Sequence, residues 1–216
     1  MTRPRADRER LELLVHEVRS PTAALAAISA ALAESELDDD SLVDLIGLAL
    51  AACAGIERVV IDASPSSLNL EDVDAAEVVR AAVSGAMLGG SRVRAVLGSS
   101  ALVVRGDPVR LRQAVDNLVV NALTHSPLES DVAVGASGDE TTVRIWVHDA
   151  GHGIAPEQHA RIFEPGVRLD SSVPGSGLGL AVARSIAEAH GGTLAVQSSP
   201  GEGATFTIAL PRRSSG

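Results

Sequence analysis

The chain has 216 residues, room for one large domain or two small ones, with 28 Asp and Glu against 18 Lys and Arg and a formal net charge of −10. That balance argues against non-specific nucleic-acid binding and against an anionic membrane surface. The single cysteine, Cys53, excludes a disulfide framework within the chain and fits a reducing compartment. The apolar stretches at 23–33 and 45–56 are too short to span a bilayer, and the charged N-terminus carries no secretory apolar core, so a soluble, cytoplasmic chain is expected.

Residues 6–34 read as a first helix. Leu11, Leu14, Val15, Val18, Leu25 and Leu32 recur at the spacing of one buried helical face. At about 100° per residue, His16 falls roughly 140° from the middle of that stripe and points at solvent or a partner, with Glu17 beside it. Pro21 predicts a kink just before it. Such an imidazole can act as nucleophile or acid/base; taken alone, the plainer reading is a solvated surface histidine. An acidic break at 34–40 leads to Ser41 as N-cap of a second helix, apolar at Leu42, Leu45, Ile46, Ala49, Cys53, Ile56 and Val60. Two such helices make an antiparallel hairpin with too little core of its own. Pairing of two hairpins into a four-helix bundle, a homodimer through residues 6–62, is expected; packing on the downstream domain of the same chain is the alternative. The hairpin domain is therefore set at 1–62.

Small and polar residues make 63–70 a linker, and the pattern then changes. Strands are expected at 68–73, 92–97, 101–104, 132–136, 142–149, 193–198 and 204–210. Helices are expected at 75–88, 108–125 and 178–190, the second opened by Asp107 and Pro108 as N-cap and first residue. Residues 150–176, rich in Gly and Pro, read as loop. This second domain, 71–211, is a layer of helices on a sheet, and 212–216 is expected to be a disordered tail.

Three stretches of the second domain can carry chemistry. Asn117 and Asn121 share a helical face, with Leu118, Val119 and Val120 expected to turn inward; paired carboxamides offer oxygen to a hard cation and donors to phosphate oxygens. Asp149-Ala150-Gly151-His152-Gly153-Ile154 ends a strand: its carboxylate can accept from an amino group on a bound base, and its glycines allow close backbone approach. Gly175-Ser176-Gly177-Leu178-Gly179-Leu180 feeds a helix N-terminus, a phosphate cradle in physical terms. It follows a loop rather than a strand and lacks a Walker lysine, so it is not a dinucleotide or P-loop fingerprint. Each alone has a plain alternative: exposed amides, a tight turn, a flexible loop. His148 and His152 lie on strand and loop and do not form a zinc pair. His190 is read as a helix-end cation and His159 as exposed.

Taken together and in this order, these motifs resemble the sensor histidine kinases of bacterial two-component systems, over nearly the whole chain. His16–Pro21 resembles the family's H box, Asn117–Asn121 its N box, Asp149–Ile154 its G1 box, Ile162–Pro165 its F box and Gly175–Leu180 its G2 box. Residues 200–206 resemble its closing hairpin. The resemblance implies a HisKA-type dimerisation and phosphotransfer hairpin, a four-helix bundle in the dimer, followed by an α/β two-layer sandwich of the Bergerat (GHKL) type that binds ATP and Mg2+. It implies His16 as phosphoacceptor, Glu17 managing its proton, and Ser20 standing where the family has the residue for dephosphorylating the regulator. Asn121 with Asn117 would hold Mg2+, and Asp149 would bind the adenine amino group. Gly151, Gly153, Gly175, Gly177, Leu178 and Gly179 would shape the nucleotide site and its lid, and Arg168 would reach the γ-phosphate. The phosphoryl group would pass to an aspartate in the receiver domain of a response regulator.

The sequence departs from the family at Thr124 and His125, where a basic residue and an aromatic are common, and at Gly166 and Val167, where aromatics are common. Two rival functions stay open: a phosphotransfer or scaffold protein with an inactive nucleotide domain, and a relative that phosphorylates a protein serine, as anti-sigma kinases do. The chain could equally be the cytoplasmic part of a longer membrane receptor or take its input from a partner.

Overall fold

The computed structural model describes residues 22–23, 25–30, 68–88, 92–127, 129–169 and 177–213. His16, Glu17, Ser20 and Gly175 lie outside them, as do most of the expected hairpin and linker. The chain divides into two compact units, Met1–Ser67 with Asp170–Leu178, and Leu68–Leu169 with Gly179–Gly216. In the first, residues 22–23 and 25–30 are helical and Ile28 is buried.

The second unit carries two sheets. Strands β1 (Glu71–Asp74) and β3 (Val103–Gly106) form an antiparallel pair. Strands β2 (Val93–Leu97), β4 (Val132–Gly138), β5 (Thr142–Asp149), β6 (Thr193–Ser198) and β7 (Ala204–Pro211) form a mixed sheet in the order β2-β4-β5-β7-β6, with only β2–β4 parallel. Helices α1 (Ala75–Leu88), α2 (Pro108–His125) and α3 (Gly179–Ala189) pack on it.

The strand alternation decides which face they cover. Val134, Val147 and Phe206 lie across one row of the ladder, and Ala136, Ile145 and Ile208 across the next, all buried. Each such Val, Ile or Phe contributes about 1.5–3 kcal/mol when taken out of water. Leu111, Val115, Leu118 and Val119 of α2, Val182 and Ile186 of α3, and Val79 of α1 are among the buried helical side chains. On the other pleat Arg144, Trp146 and His148 remain half-buried or exposed. The Trp146 ring lies over Gly135, where any Cβ would collide with it.

Helix α2 shows why its ends fall where they do. Asp107 Oδ1 accepts from the Val109 and Arg110 amides at 3.0 and 3.1 Å, satisfying two donors that the helix cannot, and Pro108 has none to satisfy. Three expectations change. Val120 is 62% exposed and does not turn inward, because only Leu118 and Val119 of the three fall on the sheet-facing side. Residues 212–213 are not a loose tail: the Arg212 amide donates to Thr141 O and its guanidinium to Asp139 O and Ala101 O, and the Arg213 amide donates to Val103 O. His190 is buried, and its Nε2 accepts from the Asp107 amide at 3.0 Å while Nδ1 donates to Ile186 O at 2.7 Å. That pairing needs the neutral Nδ1–H tautomer, an assignment made from its partners, not the cation expected at a helix end.

Candidate functional site

Asp149 closes β5 and is 3% exposed. Its Oδ1 accepts from the Gly151 amide at 2.8 Å, folding the next residues back over the strand end. Burial holds its carboxyl above the usual value of 3.8, although the Gly151 and Ala204 amides and the nearby His148 and His125 favour the charged form. A buried carboxylate at the rim of a sheet is expensive unless it binds something, and it can accept from a heterocycle's amino group.

The glycines around it answer first to the chain's own backbone. A Cβ on Gly151 would come 2.6 Å from the His125 carbonyl oxygen. Gly153, at φ +72°, would drive a Cβ into the Ser199 carbonyl, and Gly203, at φ +73°, into the Asp149 carbonyl. The His152 carbonyl accepts from the Gly201 amide at 2.8 Å, and Ser198 Oγ bridges the Ile154 amide and the Gly203 carbonyl. The loop after β5 is thus clamped between the end of α2 and the β6–β7 turn. Glycine makes that clamp possible and leaves Asp149 fixed in place.

Asn117 and Asn121 lie half-buried on one side of α2. Among the described residues neither carboxamide has a hydrogen-bond partner, which leaves their oxygens for a hard cation and their NH2 groups for phosphate oxygens. Gly179, the first residue of α3, faces Asn117: its Cβ would lie 3.8 Å from Asn117 Cβ. The start of α3 therefore lies beside Asn117, and the first amides of a helix, unpaired within it, suit anions. Gly177 takes φ +70°, and Leu178 is half-buried; both belong to the other unit. Arg168 is exposed, in the segment after the Phe163 turn.

That turn is anchored. Ile162 and Phe163 are buried, Phe163 meets Phe206 edge to face at 6.4 Å, and the Arg184 guanidinium of α3 sits 5.8 Å from its ring centre. Thr124 uses its hydroxyl within the helix, on Val120 O at 2.7 Å. His159 is half-buried, with Nε2 donating to Ile154 O at 3.1 Å. The sequence reading missed the meeting of His125 with His152, whose rings stand edge to face with centroids 5.4 Å apart. The only signal for it was that His125 follows one motif and His152 lies within another.

Residues 106–214 match the family model described as histidine kinase-, DNA gyrase B-, and HSP90-like ATPase. The sensor-like histidine kinase SenX3 of Mycobacterium tuberculosis is 34% identical over 211 residues, 91% of this chain and 52% of that protein. The sensor histidine kinase ZraS of Escherichia coli is 30% identical over 206 residues, 92% of this chain and 44% of that protein. The chain spans about half the length of these curated relatives. Among solved structures, full-length ShkA in complex with AMPPNP superposes with a TM-score of 0.72 at 27% identity, covering 96% of this chain and 46% of that one. The mycobacterial sensor histidine kinase MprB superposes at 0.60 with 31% identity, covering 67% of this chain and 99% of that one. With its mixed sheet, its Asp149 strand end and its carboxamide-bearing α2, the chain belongs to the histidine kinase-, DNA gyrase B- and HSP90-like ATPase family, on the side of the bacterial sensor histidine kinases.

Proposed function

We propose that the chain is the catalytic part of an ATP-dependent protein histidine kinase that phosphorylates His16 and passes the group to an aspartate of a response regulator. The observation that carries this reading is a buried acceptor, Asp149, in the same unit as two α2 carboxamides that have no hydrogen-bond partner among the described residues, Asn117 of which stands beside the start of α3. Asp149 accepts from the adenine amino group. Asn117 and Asn121 fit Mg2+ by donor type, and the ion, when bound, neutralises phosphate charge and aligns the oxygens. The α3 amides, Gly177, Leu178 and Gly179 take up the phosphates; Gly151 and Gly153 hold Asp149 at its station, Gly175 belongs to the lid and Arg168 to its phosphate contacts. Phosphoryl transfer asks the protein mainly for in-line positioning and charge balance. A nitrogen of His16 bonds to the γ-phosphorus as the bond to the bridging oxygen breaks; ADP leaves and the imidazole proton passes to Glu17. Ser20 orients water for dephosphorylating the regulator.

Residues 1–62 form the dimerising hairpin, 63–70 the linker and 71–211 the ATP-binding domain, and the enzyme works in the cytoplasm. Among the described residues no helix is long and apolar enough to cross a membrane. A second reading, a phosphotransfer scaffold with an inactive nucleotide domain, draws support from Thr124, whose hydroxyl is already used within α2. Incubation of the whole chain with γ-labelled ATP and Mg2+, beside His16→Gln and Asn121→Ala, separates the two. Acid-labile, alkali-stable label lost in both variants supports the kinase. Neither labelling nor ATP binding supports the scaffold, and label retained in His16→Gln removes His16 as acceptor.

A further inference from the structure

Two histidines that the kinase reading leaves unused meet at the end of α2. Nε2 of His152 stands 3.4 Å from Nδ1 of His125. A good hydrogen bond from ring nitrogen closes to about 2.7–3.2 Å, so the gap is long for a proton to bridge. It suits a shared ion. With metal–nitrogen bonds of about 2.0–2.1 Å, a tetrahedral angle sets two nitrogen ligands about 3.4 Å apart.

His152 is already held as a ligand would be. Its Nδ1 lies 2.7 Å from the Gly153 carbonyl oxygen, which can only accept. Nδ1 therefore carries the proton, as assigned from that partner, and Nε2 turns its lone pair toward His125. A carbonyl on the far nitrogen is the usual way a metal-bound imidazole is kept in register. The backbones are fixed as well. Gly151 is seated against the His125 carbonyl, and the His152 carbonyl is tied to the Gly201 amide at 2.8 Å. His125 rides on the last turn of an 18-residue helix. The two ring nitrogens can thus be brought onto one ion with little rearrangement of main chain.

We propose that His125 and His152 form a two-nitrogen site for a divalent cation of the zinc, nickel or copper class. Imidazole nitrogen favours these borderline ions, whereas amide oxygens such as those of Asn117 and Asn121 favour Mg2+. Among the described residues no group of three or more His, Cys, Asp or Glu gathers around one point, so water or a ligand oxygen fills the remaining positions. The site stands whether or not the kinase reading does, because it needs only the two rings.

The test uses the whole nucleotide-free chain, titrated with Zn2+ by calorimetry and with Co2+ by visible absorption, in excess Mg2+. One ion is expected to bind through nitrogen, and Mg2+ is not expected to compete. His125→Gln and His152→Gln should each weaken binding at least tenfold, while His148→Gln and His159→Gln bind as the parent does. Metal-free thermal midpoints are read first. His152 is exposed and its replacement leaves the core intact, so His152→Gln decides if His125→Gln does not fold. Parental affinity in His152→Gln, displacement by Mg2+, or loss of the ion in His148→Gln overturns the site.

Discussion

Asp149 is asked for two things that oppose each other: to be ionised, so that it accepts strongly, and to be buried, which penalises the charge. Its raised pKa fixes the sign of the consequences. The burial penalty is absent below the unfolded value, grows as pH rises through the higher folded value, and is fully present above it. Asp149→Asn is therefore expected to raise the nucleotide-free thermal midpoint at pH 8, with the gain shrinking on acidification. The same change should weaken ADP binding about tenfold or more, since a hydrogen bond to a charged group contributes about 1.5–3 kcal/mol. Parental ADP affinity in the variant would take Asp149 out of the site. The nearby glycines separate two costs. Gly201 has φ +84° and nothing within 4 Å of an added Cβ, whereas Gly203 has φ +73° and the Asp149 carbonyl in the way. Gly201→Ala should cost about 1–3 kcal/mol in urea unfolding, the backbone penalty alone. Gly203→Ala should cost distinctly more; equal losses would mean the strand end yields to the methyl.

At the scale of elements, α2 depends on Asp107. Burial raises the Asp107 pKa, but the amides of Arg110, Asn69 and Val109 that donate to it outweigh burial and leave the carboxyl below 3.8. The cap's contribution is thus complete above the unfolded pKa and is lost as pH falls through the lower folded one. Asp107→Ala should cost about 0.5–2 kcal/mol at neutral pH, and the difference from the parent should vanish in strong acid. A difference that persists there would mean the carboxylate is not the cap. This helix was legible because Asp-Pro and the apolar period both mark it. The strands were legible where alternation is strict, as at Val143, Ile145 and Val147. Other features were not, because they arise from partners distant in sequence. The His190 bond to the Asp107 amide joins residues 83 apart in the chain, and no local pattern announces it. Val120 was misread because three consecutive apolar residues cannot all face one sheet.

For the unit as a whole, the last residues act as a latch. Arg212 and Arg213 follow β7, and their main chain and side chains tie together the Val103, Thr141, Asp139 and Ala101 carbonyls. Arg212→Ala, which removes the two guanidinium bonds, is expected to cost about 1–2 kcal/mol. Arg213→Ala should change stability by less than about 0.5 kcal/mol, because its pair with Asp72 is solvent-exposed. Equal losses from the two would show that their side chains are not the distinction. The tail escaped the sequence reading because terminal position and composition suggest looseness, while carbonyls from three separate loops and strands hold it. Trp146, lying across Gly135 on the pleat away from the buried helical faces, has a practical corollary: the chain has one tryptophan and no tyrosine. Its intrinsic fluorescence is then a single lamp lit inside the second unit. Unfolding of that unit dims or shifts it, so the stability differences above can be read optically without a label, whereas ligands arriving at Asn117 or Asp149 need a reporter of their own.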